Sequence, residues 1–117
     1  MTVLKRNELS VLEEIEDADE SRRHPRRKMT RPVEFAASDG VRRAGVCRNL
    51  ALGGMLIDTR DPAPFGAEIT IFIDLPGIGR SVLRGVVRWA GHDRMGIQLG
   101  LMGVRETHAL LQIVTGR

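Results

Sequence analysis

At 117 residues, with 42% hydrophobic and 28% charged side chains, the chain has room for one compact domain and a short extension. A single cysteine, Cys47, excludes an internal disulfide and a thiolate metal cluster, and with no leader-like segment and no apolar run long enough to cross a bilayer the chain reads as cytoplasmic. The formal net charge of +3 is unevenly spread: residues 1–21 carry two basic and seven acidic groups (net −5), residues 22–48 nine and two (net +7), and residues 49–117 seven and six (net +1). The basic density is therefore local, and it points to an anionic partner at that segment.

In chain order, residues 3–20 are predicted helical, because Leu4, Val11, Leu12 and Ile15 recur at helical spacing with no Gly or Pro between them. The acidic stretch from Glu13 to Glu20 is poor core material. Residues 1–21 thus read as an acidic helical extension, solvated and resting on a domain that spans 22–117. A sharper reading makes this helix a docking element for a partner or a second copy.

Arg22-Arg23-His24-Pro25-Arg26-Arg27-Lys28 follows. Pro25 removes a backbone donor and pushes His24 towards extended geometry, so the run is not a plain helix. In an extended chain Arg22 and Arg26 lie roughly 13 Å apart on one side. Guanidiniums at that span suit a ligand with several acceptor groups, since arginine grips phosphate bidentately, stacks on flat rings and reads the O6/N7 edge of guanine. Taken alone, the run also fits a solvated basic linker.

Strands are expected over 31–37, where Val33 and Phe35 share a face, and over 42–48, joined by the turn signal Ser38-Asp39-Gly40. A loop, Asn49-Leu50-Ala51-Leu52-Gly53-Gly54, then leads into a short strand at 54–58. It offers a side-chain amide and two glycines, which either let backbone approach a ligand or merely bend the chain. Ile69, Ile71 and Ile73 alternate in the next strand, and residues 81–90 form the longest one, with Leu83, Val87 and Trp89 on one face. Met95, Ile97 and Leu99 alternate again, and Val104, His108, Leu111 and Ile113 mark a closing helix. Short strands, turns and a terminal helix describe a small antiparallel barrel.

Catalysis finds little support. His24, His92 and His108 have no neighbours at metal-ligand or nucleophile–base spacing, and no phosphate-cradling glycine motif occurs. Cys47 sits in mid-strand, where a small buried residue is ordinary.

The arginine run and the Asn49 segment together resemble the PilZ domain family, whose signature is RxxxR, a strand pair and then [D/N]xSxxG. Here the pattern reads Arg22-x-x-x-Arg26 and Asn49-x-Ala51-x-x-Gly54, and the resemblance covers about residues 22–113. It implies a mainly β fold, a six-stranded antiparallel barrel with a C-terminal helix, here preceded by an extra N-terminal helix. The resemblance also implies a non-catalytic receptor for cyclic di-GMP that needs no cofactor and regulates a protein partner in motility, pilus function, exopolysaccharide production or virulence. On that pattern Arg22 and Arg26 clamp phosphates and guanines with help from Arg23. Asn49 meets the guanine edge, Gly53 and Gly54 admit backbone, and Trp89 is first a core residue and second a border of the ligand. Ala51 replaces the serine of the signature, and losing one neutral hydrogen bond costs roughly 0.5–1.5 kcal/mol, about three- to tenfold in affinity.

Two other classes compete. One is a PilZ-like adaptor that has lost nucleotide binding, which Ala51 favours and the Arg22/Arg26 pair opposes. The other is a basic barrel for RNA or DNA, disfavoured because three Phe and one Trp offer few stacking platforms. The acidic extension, tethered beside the arginines, is expected to compete for them through Glu13, Glu14, Glu16, Asp17 and Glu20.

Overall fold

In the strand Glu68–Leu75 burial alternates strictly: Ile69, Ile71, Ile73 and Leu75 are buried while their neighbours are not. A strand with one apolar face is stable only when that face is covered, and here the cover is the other strands of the same sheet. In the computed structural model, which describes residues 26–116, six strands and one helix follow in order. They are β1 (Arg26–Ala36), β2 (Arg43–Ala51), β3 (Gly54–Asp58), β4 (Glu68–Leu75), β5 (Gly79–Ala90), β6 (Arg94–Leu99) and α1 (Val104–Thr115). The predicted N-terminal helix, with Arg22 and Arg23, lies outside the described residues.

The strands close in the order β1-β2-β3-β6-β5-β4, every pair antiparallel, with β4 returning to β1 through Glu34 opposite Phe72 and Phe35 opposite Ile71. The mainly β, six-stranded barrel expected from the sequence is therefore the observed fold. Phe35, Leu50, Met55, Ile57, Ile71, Ile73, Leu83, Val87, Met95 and Ile97 fill its interior, with almost no exposed surface. Each such side chain contributes roughly 1.5–3 kcal/mol by leaving water.

Three expectations need correction. The arginine segment is not wholly a lead-in, because β1 begins at Arg26 rather than at residue 31. Asn49, Leu50 and Ala51 are not loop residues: β2 runs through Ala51, and only Leu52-Gly53 turns the chain into β3. Leu50 explains this, since keeping the strand going buries it completely against Met55 and Ile57. The helix is where the periodicity put it, yet its buried face is Ala109, Leu110, Ile113 and Val114, and Val104, His108 and Leu111 are exposed.

Helix α1 ends at Gly116, whose left-handed backbone (φ 78°) lets its N–H reach the carbonyls of Gln112 and Ile113. No basic residue lies in its last turn, but Arg27 comes from β1 to that end: a Cβ at Gly116 would stand 2.8 Å from the Arg27 Nη1. A guanidinium there meets the negative end of the helix dipole. Arg27 therefore ties the first strand to the helix.

Cys47 is fully buried in β2, and burial pushes its thiol up from 9.0 to about 12. The folded thiol keeps its proton where the unfolded one loses it, so this contribution to stability is intact below pH 9 and is lost as pH rises from 9 towards 12. We expect Ellman's reagent at pH 8 to modify the native protein only at the rate of unfolding. Urea midpoints should fall between pH 9 and pH 11 by less in Cys47→Ala than in the wild type. Fast labelling of the native thiol would contradict its burial.

Candidate functional site

The signature residues are brought together by the pairing of β1 with β2. Arg26 is opposite Ala51, Arg27 opposite Leu50, and Lys28 opposite Asn49. Directly opposed residues project to the same side, and alternate residues to opposite sides. Leu50 points into the core, so Asn49 and Ala51 face outward, and Arg26 and Lys28 stand beside them. The second arginine of the RxxxR pattern thus meets the NxAxxG pattern without a loop between them.

Two irregularities shape this face. In β1 the register shifts between Lys28 and Arg31, so Met29 and Thr30 together oppose Arg48; in β2 it shifts between Cys47 and Asn49, leaving Arg48 extra against β3. Adjacent bulges bend both strands and re-aim the side chains around them. A cavity of about 410 Å³ opens there, lined by Lys28, Met29, Thr30, Arg48, Asn49 and Leu56.

Asn49 is the chemical centre of this cavity. It is 3% exposed, and its Oδ1 is buried with no hydrogen-bond partner among the described residues. An unsatisfied buried acceptor costs about 1–3 kcal/mol, a penalty that a ligand N–H removes. Next to it Ala51, also 3% exposed, offers only a methyl group. Gly53 caps the hairpin: its carbonyl accepts the Leu99 N–H at 3.0 Å, while the position of a Cβ on it is open space. None of the described residues fills that space. Gly54, by contrast, is buried in β3 opposite Ala51 and Gln98.

Trp89 departs from its expected place. A third register shift, between Val87 and Trp89, breaks the alternation that would have put it beside Leu83 and Val87. It is half-buried rather than core, and its ring lies over Gly91, where a Cβ would meet it at 2.9 Å. Its register still matters, because Asn49, Leu56, Gly96 and Trp89 form one continuous row across β2, β3, β6 and β5. Three strand spacings put Trp89 about 14 Å from Asn49 along the outer sheet.

Sequence reasoning missed Lys28 and Arg48. Arg48 Nη1 approaches Thr30 Oγ1 at 3.5 Å, and its Nε faces Asp58 Oδ2 at 3.6 Å. Asp58 also faces the Arg94 Nε at 3.3 Å, so one carboxylate serves two guanidiniums. Among the described residues no carboxylate pairs with Lys28. A lysine just past the arginine run and an arginine just before Asn49 were visible as charges, but only the bulges turn them towards one cavity.

A larger groove of about 630 Å³ lies further along β2 and β3, and it is a poorer anion site. Its Arg43 already donates to Asp61 at 2.6 Å and to Asp39 at 3.0 Å, and Asp58 and Asp93 also line it. The hydrogen bonds to Asp39 and then Asp61 hold Arg43 still more firmly in its charged form, and the same contact lowers the Asp39 carboxyl. Among the described residues, no group of His, Cys, Asp and Glu side chains is arranged to hold a metal, and no helix is long and apolar enough to cross a membrane.

The chain belongs to the PilZ domain family, whose model matches residues 20–116. No curated protein matches it. Among solved structures it is similar to the PilZ domain of CeSA from a cellulose-synthesizing bacterium, with 24% identity and a TM-score of 0.64 over 78% of this chain and 95% of that one. It is also similar to the PilZ domain of YcgR from Escherichia coli, solved with c-di-GMP, with 15% identity and a TM-score of 0.65 over 80% and 88%. The inhibitor of motility MotI/DgrA of Bacillus subtilis shares 19% identity at a TM-score of 0.66, and the chain spans half of its length. At these identities the likeness is one of fold.

The Asn49 carbonyl, without a partner among the described residues, predicts a trade between stability and binding. Asn49→Leu should leave the free protein as stable as the wild type, or more stable by up to about 1–3 kcal/mol in urea unfolding. A clear loss of stability would mean that the amide is satisfied in the free protein and is not held in reserve.

Proposed function

We propose that this PilZ protein is a non-catalytic receptor for cyclic di-GMP. The observation that carries the reading is the β1–β2 register, which sets Arg26 against Ala51 and Lys28 against Asn49 around a buried acceptor without a partner among the described residues. A guanine edge offers N–H donors to Asn49 Oδ1, and phosphates offer oxygens to the guanidiniums. The open space over Gly53 admits ligand close to backbone. The c-di-GMP complexes of YcgR and of PlzA from Borreliella burgdorferi support the ligand class. Arg22 and Arg23 join Arg26 on sequence grounds, and Trp89 stands at the far rim of the same outer face.

Binding would draw the arginine segment onto the barrel and so change the surface offered to a protein partner. The division at residue 22 belongs to the same proposal: the acidic residues 1–21 compete for the arginines until the ligand displaces them. Deleting residues 2–18 should then tighten binding, with a gain that shrinks as salt is added.

Calorimetric titration tests the reading. Wild-type protein should bind cyclic di-GMP, and Arg22→Ala or Arg26→Ala should each lose roughly 1–3 kcal/mol. Ala51→Ser should tighten binding by about tenfold at most, by restoring one hydrogen bond. Absence of heat with the wild type at high micromolar ligand would instead favour an adaptor that acts through protein contacts alone.

A further inference from the structure

The cavity at the paired bulges carries more positive charge than the signature accounts for. Lys28 and Arg48 line it from two strands, and Arg94 stands one carboxylate away. Among the described residues only Asp58 is set against these three cations, and its pairing with Arg48 is loose, at 3.6 Å with the arginine side chain 49% exposed. Exposed ion pairs of this kind hold their partners weakly, so Arg48 is available to a better anion at little cost. Inside the cavity the buried Asn49 Oδ1 waits for a donor. Cations at the mouth and an acceptor on the wall describe a ligand fragment that has an N–H edge and an anionic group together.

We propose that this cavity is a subsite of the ligand site, in which Lys28 and Arg48 grip a phosphate while Asn49 accepts from the attached base. The inference rests on the receptor reading and adds two residues from outside both signature motifs. The geometry makes the pairing specific. Lys28 opposes Asn49 directly across the β1–β2 ladder, and Arg48 precedes Asn49 in the chain and is displaced towards the cavity by its bulge. Without the bulge, strand alternation would send Arg48 to the side opposite Asn49.

The subsite also offsets the one departure from the family signature. Ala51 lacks a neutral hydroxyl, whereas Lys28 and Arg48 bring charge-assisted contacts, which are stronger than the neutral hydrogen bond forgone. These two cations thereby let the chain keep its ligand without the serine.

Titration of the full chain with cyclic di-GMP at low and at physiological salt tests this. Lys28→Gln and Arg48→Gln should each weaken binding about tenfold or more at low salt, and the loss should shrink as salt screens the wild type. Arg105→Gln, an exposed cation on α1, should bind as the wild type does. Lys28 is exposed and Arg48 half-exposed, so unchanged melting temperatures should show that the variants fold. Wild-type affinity in both variants would overturn the subsite and leave the receptor reading standing. No binding by the wild type would overturn the receptor reading itself, and the subsite with it.

Discussion

The register between β1 and β2 is the constraint on which the site depends, and the core sets it. Leu50 is wholly buried between Asn49 and Ala51, so these two must face outward and must oppose Lys28 and Arg26. A slip of one residue would turn Leu50 to solvent and send Asn49 into the barrel. Exposing Leu50 alone would cost roughly 1.5–3 kcal/mol, more than any surface contact near it supplies. The candidate site's face is therefore held by hydrophobic packing on the reverse side of the same strand, not by polar contacts within the face.

On that rigid frame the polar chemistry is left deliberately unfinished. Among the described residues, Asn49 keeps a buried carbonyl oxygen without a partner, nothing fills the space over Gly53, and Asp58 serves two arginines at once. Elsewhere the same surface is saturated. Arg43 is bridged to both Asp39 and Asp61, and Glu34 pairs with Arg42 and Arg80. The contrast separates two grooves that size alone would rank the wrong way. In the larger, Arg43 is matched by carboxylates and further carboxylates line the groove, whereas the described residues of the smaller hold surplus positive charge and a buried acceptor.

How much of this the sequence disclosed depended on whether a feature leaves a periodic trace. The barrel did, since Ile69, Ile71, Ile73 and Leu75 alternate in β4 and Met95, Ile97 and Leu99 alternate in β6. The motif pair also placed Asn49 and Ala51 correctly as neighbours of the arginine run. Bulges leave no such trace: nothing in Met29-Thr30, Arg48 or Arg88 marks an extra residue. For that reason the alternation puts Trp89 in the core beside Val87, and gives no sign that Lys28 and Arg48 meet at one cavity. The helix misled in another way. Two apolar sets share its spacing, and the set that packs includes the inconspicuous Ala109, while Val104 and Leu111 stay in water.

Backbone amide shifts under titration with cyclic di-GMP would test the central claim most directly, since they report the place of binding as well as its strength. The account predicts the largest changes at Lys28, Thr30, Arg48, Asn49, Gly53 and Leu56, on the outer face of β1, β2 and β3, with smaller ones reaching Trp89. Changes centred on Arg43, Asp61 and Asp93, with the Asn49 region silent, would contradict it.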